Sequence, residues 1–493
     1  MTARVRGGVA TLLTAAALTC TVALYNGFPL TYWDSASYLK KAYAFTHPQR
    51  ALSLTVGDYQ QAQLPPSSPF RNPFFYRPGT YTVLLVPFAN PRLLDAAPLV
   101  QGLIIAFVVA LALRIASAAH SPLEFVLLFG ALSAGTSLPW FTGQLMPDFF
   151  TGVVVLLFFV MLAGGERLAR WERVTAGLLL ATAIATHLSH LPLYAGLAAL
   201  GLGYRQLGDR GLITGRAFAV SIVGPLVLAV IALVGSNFVF SRKPVLSESS
   251  GLFYLARLVG DGTAQRYLAD ACPEKWYLLC DERSNLPRDA DYFLWEPAGP
   301  WARYQNDPRF LTEAGDIVRG TLRAYWREQA AAAVGNTFAQ LASFGVDGDL
   351  VRPHPQVREL FAKFGDGTLA RYQDSRQVRR ALPLDAASAV QQGCVYLSLL
   401  VLLVCGPMLG ATHRRGPLLL AGVVLAGVVL NAVVLGALSA VHDRYQSRVM
   451  WLLPLAAFVA VRPLLARVTS SRRLRSRLFA ECLDPRDDRV LLP

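Results

Sequence analysis

The sequence predicts an all-α polytopic membrane protein with about ten transmembrane helices, interfacial helices in the first outer loop and a mostly helical outer module. Three observations carry that expectation. The 493-residue chain is 54% hydrophobic and only 16% charged, where a soluble domain carries about 25% charged residues. Charge-free runs of roughly 20 residues, the length that crosses a bilayer, recur along it. Lysines and arginines gather on alternate connections between those runs, the bias that orients membrane proteins.

In chain order, Arg4 and Arg6 precede an apolar stretch without charge from Gly7 to Trp33. A secretory signal has an apolar core of only roughly 7–15 residues, so this stretch reads as a retained first helix. The expected spans are residues 7–25, 96–113, 122–141, 149–164, 173–187, 190–204, 217–238, 387–410, 416–440 and 448–466. The uncharged stretch Val174–Tyr204 is too long for one span, and the run Thr186–Pro192 (THLSHLP) divides it into a tight hairpin. These boundaries give an N-terminal transmembrane module, 1–241, with a first outer loop, 26–95. An outer soluble module, 242–386, C-terminal transmembrane helices, 387–466, and a basic tail, 467–493, follow.

Within the first outer loop, Ser35–Phe45 has the pattern of an amphipathic interfacial helix. Leu64–Pro78 is proline-rich loop, and Tyr81–Phe88 is apolar but too short to span, hence interfacial or re-entrant. In the outer module, Leu252–Leu258 and Thr321–Leu341 have helical periodicity.

With the N-terminus inside, the inner connections hold Arg114, the group Arg167, Arg170 and Arg173, the group Arg205, Arg210 and Arg216, then Arg414 and Arg415, and the tail. The short outer turns 142–148 and 187–190 hold no lysine or arginine. Both termini are therefore expected in the cytoplasm. The net charge of +14 follows the same distribution, and within the outer module acidic and basic residues cancel. This is charge that sets topology, not a nucleic-acid surface. No Walker loop, no GxGxxG after a strand and no HExxH occurs, which argues against a nucleotide-driven enzyme.

Polar residues able to do chemistry then fall on the outer face. Asp34, among Tyr32, Trp33 and Tyr38, is either a general base or cation ligand or the N-cap of the interfacial helix. Asp148, in QLMPDFF, is a second carboxylate facing the same site or an acid placed at a helix N-terminus by the dipole. His187 and His190, three apart, are a weak metal signal without a third ligand; they supply hydrogen bonds to a polar turn or contact a phosphate or an acceptor. Arg444 and Arg448, in HDRYQSR before the last span, either clamp a phosphate with their guanidinium forks or pair locally. Cys20, Cys394 and Cys405 read as small core hydrophobes, and Cys482 lies in the tail. Cys272 and Cys280, in CPEKWYLLC, pair as a disulfide if the chain between them turns back.

A first helix followed by an outer loop with an early acid (Tyr32-Trp33-Asp34) and a proline–aromatic stretch (Tyr76 to Tyr81, YRPGTY) resembles the polytopic membrane glycosyltransferases of the C type, the GT-C superfamily. The resemblance covers the membrane part, mainly residues 1–205 and also 387–466, where Arg444-Tyr445 resembles the Arg-Tyr pairs of that group. It implies transfer of a hexosyl or pentosyl group from a polyprenyl-phosphate-linked donor to a glycan, lipid or protein acceptor. It places the active site at the periplasmic face of a bacterial inner membrane. It implies catalytic roles for Asp34 and Asp148, with Arg444, Arg448, His187 and His190 on the donor phosphate. A divalent cation is left open, because Asp34 is a lone acid where some members carry a pair. The rival readings are a transporter, which needs polar or broken mid-span sites, and a non-enzymatic envelope assembly protein.

Overall fold

The computed structural model describes residues 3–47, 75–116, 120–208, 213–346, 350, 355–411 and 415–464. The proline-rich residues 64–74, the basic tail and Cys482 lie outside the described residues. The chain is 78% helical without a strand among the described residues; a single isolated bridge joins Leu30 to Gln144.

The helices are α1 (Ala3–Thr19), α2 (Thr21–Asn26), α3 (Trp33–Thr46), α4 (Gly79–Leu85), α5 (Ala96–Ile115), α6 (Pro122–Gly135) and α7 (Leu138–Thr142). Then come α8 (Phe150–Ala163), α9 (Arg170–Ala185), α10 (His190–Leu207) and α11 (Gly215–Val239, with a π-turn at Ala219–Val223). The next stretch holds α12 (Ser250–Gly260), α13 (Thr263–Ala271), α14 (Ala290–Trp295), α15 (Pro300–Tyr304), α16 (Phe310–Ala324), α17 (Trp326–Ala342), α18 (Pro355–Phe364) and α19 (Asp366–Asp374). The chain closes with α20 (Leu384–Ala411), α21 (Arg415–Leu438) and α22 (Asp443–Leu464).

Each expected span holds helix among its described residues, with 7–25 and 122–141 each broken into two helices, but only five helices among the described residues, α5, α11, α20, α21 and α22, are long and apolar enough to cross a membrane. Shorter apolar helices cover Gly8–Thr19, Gly79–Phe88, Pro122–Gly135 and Pro147–Ala163. This is consistent with a multi-pass membrane protein.

α8 sits at the centre of the bundle, where every residue from Phe150 to Leu162 is buried. A helix hydrophobic all round belongs in a core. Small residues let its neighbours approach. A Cβ on Gly152 would lie 2.6 Å from the Trp451 ring, and one on Gly427 would lie 2.8 Å from Val155.

Two boundaries differ from the sequence expectation. The last helix begins at Asp443, not 448, so Arg444 and Arg448 lie on its first turns; buried partners compensate their charge there, as described below. The stretch 242–386 also divides between two cores. Residues from Leu252 to Ile317 form their own hydrophobic cluster, which includes Phe75. Val357, Leu360, Phe361, Phe364 and Tyr372 pack into the bundle core, with Phe361 5.0 Å from the Phe28 ring. Cys272 and Cys280 are joined as a disulfide, their Cα atoms 5.6 Å apart. The chain does turn back between them: α13 ends at Ala271 and a 3-10 turn covers Leu278–Cys280.

Candidate functional site

The starts of α3 and α22, the turn before α8, the α9–α10 turn and residues 75–78 meet at one end of the bundle, called here the site end. Ser35 organises the start of α3: its Oγ accepts from Tyr32 N at 2.9 Å and donates to Leu145 O at 3.0 Å. Asp34 therefore sits in the first turn rather than at the cap, which is Tyr32. Its carboxylate is free to face Arg77, whose Nη2 and Nε donate to Oδ2 at 2.9 and 3.1 Å. Burial opposes the charge on Arg77, but Asp34 more than offsets it and holds the guanidinium above its ordinary pKa. The guanidinium lies 5.5 and 5.9 Å from the Phe253 and Trp295 rings, so the 250–317 unit contributes to this wall. Burial pushes the neighbouring Tyr76 phenol up to about 12, and its oxygen accepts from Trp301 Nε1 at 2.9 Å.

Asp148 is fully buried. Its Oδ1 lies 3.3 Å from Arg448 Nη1 and 3.7 Å from Arg444 Nε. Arg448 Nη2 also donates to Ser189 Oγ at 3.0 Å and Asn431 Oδ1 at 3.1 Å. Arg444 lies over Tyr32, its Cζ 3.8 Å from the ring centroid, a cation–π contact. Buried polar atoms normally find partners. Here Arg444 Nε and Nη1, Arg448 Nε, Asp148 Oδ2 and the Tyr38 hydroxyl have no hydrogen-bond partner among the described residues. Burial raises the Tyr38 phenol, which therefore keeps its proton; Arg77, Asp34, Asp148 and Arg444 all act on it electrostatically. Charge from both ion-paired groups thus reaches Tyr38.

The histidines divide. His190 Nδ1 faces the Ala183 carbonyl at 2.8 Å and Nε2 faces Thr151 Oγ1 at 2.9 Å. A carbonyl only accepts, so Nδ1 carries the proton and Nε2 accepts from the threonine. No ring nitrogen remains for a ligand, which corrects the expectation that His190 contacts a phosphate. His187 Nδ1 accepts from Ser189 N at 3.2 Å, which leaves its Nε2–H as a donor.

The sequence reading did not assign roles to Arg77, Tyr38, Ser189 or Asn431. Asn431 had a legible signal, since it is a lone amide within the apolar α21. Among the described residues no group of three or more His, Cys, Asp or Glu stands close enough to hold a metal ion. Each of the two carboxylates faces arginine, a donor set that does not fit a divalent cation. A narrow cleft, about 10 Å³ in volume, lies beside Arg77, lined also by Pro78, Leu188, Leu233, Asn237 and Ser247.

No protein-family model matches the chain, and no curated protein or solved structure is detectably similar to it.

Proposed function

We propose that this chain is a bacterial inner-membrane glycosyltransferase, with both termini cytoplasmic and the site end facing the periplasm. It moves a sugar from a polyprenyl-phosphate-linked donor to an acceptor hydroxyl. One observation carries the reading. Three arginines, Arg77, Arg444 and Arg448, stand against two carboxylates, Asp34 and Asp148, and the excess positive charge comes with unspent guanidinium N–H groups. A polyprenyl-phospho-sugar is a phosphodiester with a single negative charge and oxygens that only accept. It matches both the missing charge and the missing acceptors. The cleft beside Arg77 adjoins α11, whose Val227, Ile231 and Val239 are exposed apolar residues, a route for a donor arriving from the bilayer.

In this reading both Arg77 bonds fall on Asp34 Oδ2, and Oδ1 takes the acceptor proton. The acceptor oxygen bonds to the anomeric carbon as the carbon–oxygen bond to phosphate breaks, and the electron pair leaves on polyprenyl phosphate. Arg444 and Arg448 stabilise the growing phosphate charge, with His187 and Tyr38 as further donors. Asp148 acts as the counter-ion that positions the two arginines rather than as a second base.

The test is transfer from radiolabelled hexosyl and pentosyl polyprenyl phosphates by the full chain in proteoliposomes, with cell-envelope extract as acceptor source. Asp34→Asn should lower the rate by about 10²–10⁴-fold without loss of membrane insertion. Equal rates for the two proteins would remove Asp34 from catalysis. No transfer or donor hydrolysis by the wild type would remove the enzyme reading.

A further inference from the structure

α17 (Trp326–Ala342) has its polarity turned inside out. Beyond the exposed Arg327 and Glu328 of its first turn, the amide side chains of Gln329, Asn336 and Gln340 face the protein and are bonded there. Gln329 Nε2 and Asn336 Nδ2 donate to Asp261 at 2.8 and 3.0 Å. Gln340 donates from Nε2 to His442 O at 2.7 Å and accepts His442 N–H at 3.1 Å. Residues 329, 336 and 340 share one helix face. The opposite face is made of Ala330, Ala331, Val334, Gly335, Phe338 and Ala342, all exposed, with Val334 and Phe338 58% and 68% accessible. A helix on a water-facing surface shows the reverse arrangement, apolar stripe inward and polar face outward.

The position of α17 says what covers that face. Its backbone lies against the end of α21, where a Cβ on Gly436 would come within 2.7 Å of Thr337 N. α21 is long and apolar enough to cross a membrane, and its own outward residues Leu425, Val429, Val433 and Leu438 are exposed. No charge occurs from Gln329 to Val346. Trp326 and Arg327 stand at the N-terminal end, the pair of residue types that settles at headgroup level.

We propose that α17 lies in the membrane leaflet at the site end, its Ala330–Ala342 face covered by acyl chains. The occupant is lipid because the apolar face continues that of α21, and because a fully apolar helix face of this length is costly in water. The inference does not depend on the glycosyltransferase reading. It gives α17 a positioning role, since Gln340 holds the His442 backbone two residues before Arg444, so lipid packing on α17 bears on where α22 begins.

Single spin labels at Val334→Cys and Phe338→Cys, in the full chain with Cys20, Cys394, Cys405 and Cys482 replaced by alanine, test this in liposomes. Collision with molecular oxygen is compared with collision with a water-soluble nickel chelate. Leu403→Cys on the exposed face of α20 serves as the lipid reference and Arg323→Cys on α16 as the water reference. Both α17 labels should match position 403, with oxygen favoured. Nickel access like that at position 323 would overturn the proposal. Low access to both reagents would also overturn it, in favour of a protein partner. If the chain with those four alanines does not fold, benzoylphenylalanine at position 338 of the otherwise unaltered chain gives the same decision. A phospholipid adduct on illumination supports the inference, and an adduct to protein alone refutes it.

Discussion

Asp148→Asn is the most informative substitution at the site end. The carboxylate has no exposed surface and lies between two guanidinium groups at 3.3 and 3.7 Å. At an effective dielectric of about 20, unit charges at such distances attract by about 4–5 kcal/mol each. Much of that offsets the cost of burying the ions, so the net effect is smaller than the sum. Asparagine keeps the shape and one acceptor oxygen but leaves Arg448, itself fully buried, and Arg444 without a counter-ion. Breaking a buried pair from one side costs about 3–5 kcal/mol, or about 10²–10⁴ in the folded-to-unfolded ratio. Equilibrium unfolding in mixed micelles with rising sodium dodecyl sulfate reads this directly. The Arg266–Glu328 pair, 3.5 Å apart with both side chains about half exposed, provides the control: Glu328→Gln should cost under about 1 kcal/mol. Adding Arg448→Met to Asp148→Asn should recover part of the loss, because it removes a stranded charge. An Asp148→Asn protein as stable as the control variant would refute the buried counter-ion argument.

Further outcomes follow from the same geometry. Arg444→Lys keeps the charge over Tyr32 but loses the Nε and Nη1 donors; sugar transfer should fall about 10²–10³-fold, while unfolding midpoints stay near wild type. Cys272 and Cys280 should react with a thiol reagent only after reduction, as judged by mass spectrometry of the labelled peptides; ready labelling of both beforehand would contradict the disulfide. Reporter fusions after Arg216 and after Gly251 should report opposite sides of the membrane, because α11 lies between them; the same side for both would displace the proposed site from the periplasm.

The helices were legible because they are written in local composition. Most of each charge-free run is helix, and the turn expected at Thr186–Pro192 is where α9 gives way to α10. The start of α22 was not legible. Two arginines in HDRYQSR look like loop to a rule that counts charge, and the counter-charge that offsets their burial is Asp148, 300 residues from Arg448 in sequence. His190 carries the same lesson. Its place in a polar turn was open to either a phosphate contact or local hydrogen bonding, and Thr151 and the Ala183 carbonyl occupy both its nitrogens.

By itself the sequence determined the α-helical, apolar character of this protein, the order of its helices and the acids and arginines available to it. Those properties follow from the transfer free energy of side chains and the length of chain between charges, both local quantities. Only the tertiary structure decided which acid meets which arginine: Asp34 with Arg77, and Asp148 with Arg444 and Arg448. It also decided that α17 turns its polar face inward, against Asp261 and His442. The reason is that the energy of a buried charge or amide depends on the partner within about 4 Å, and helix packing, not sequence spacing, supplies that partner.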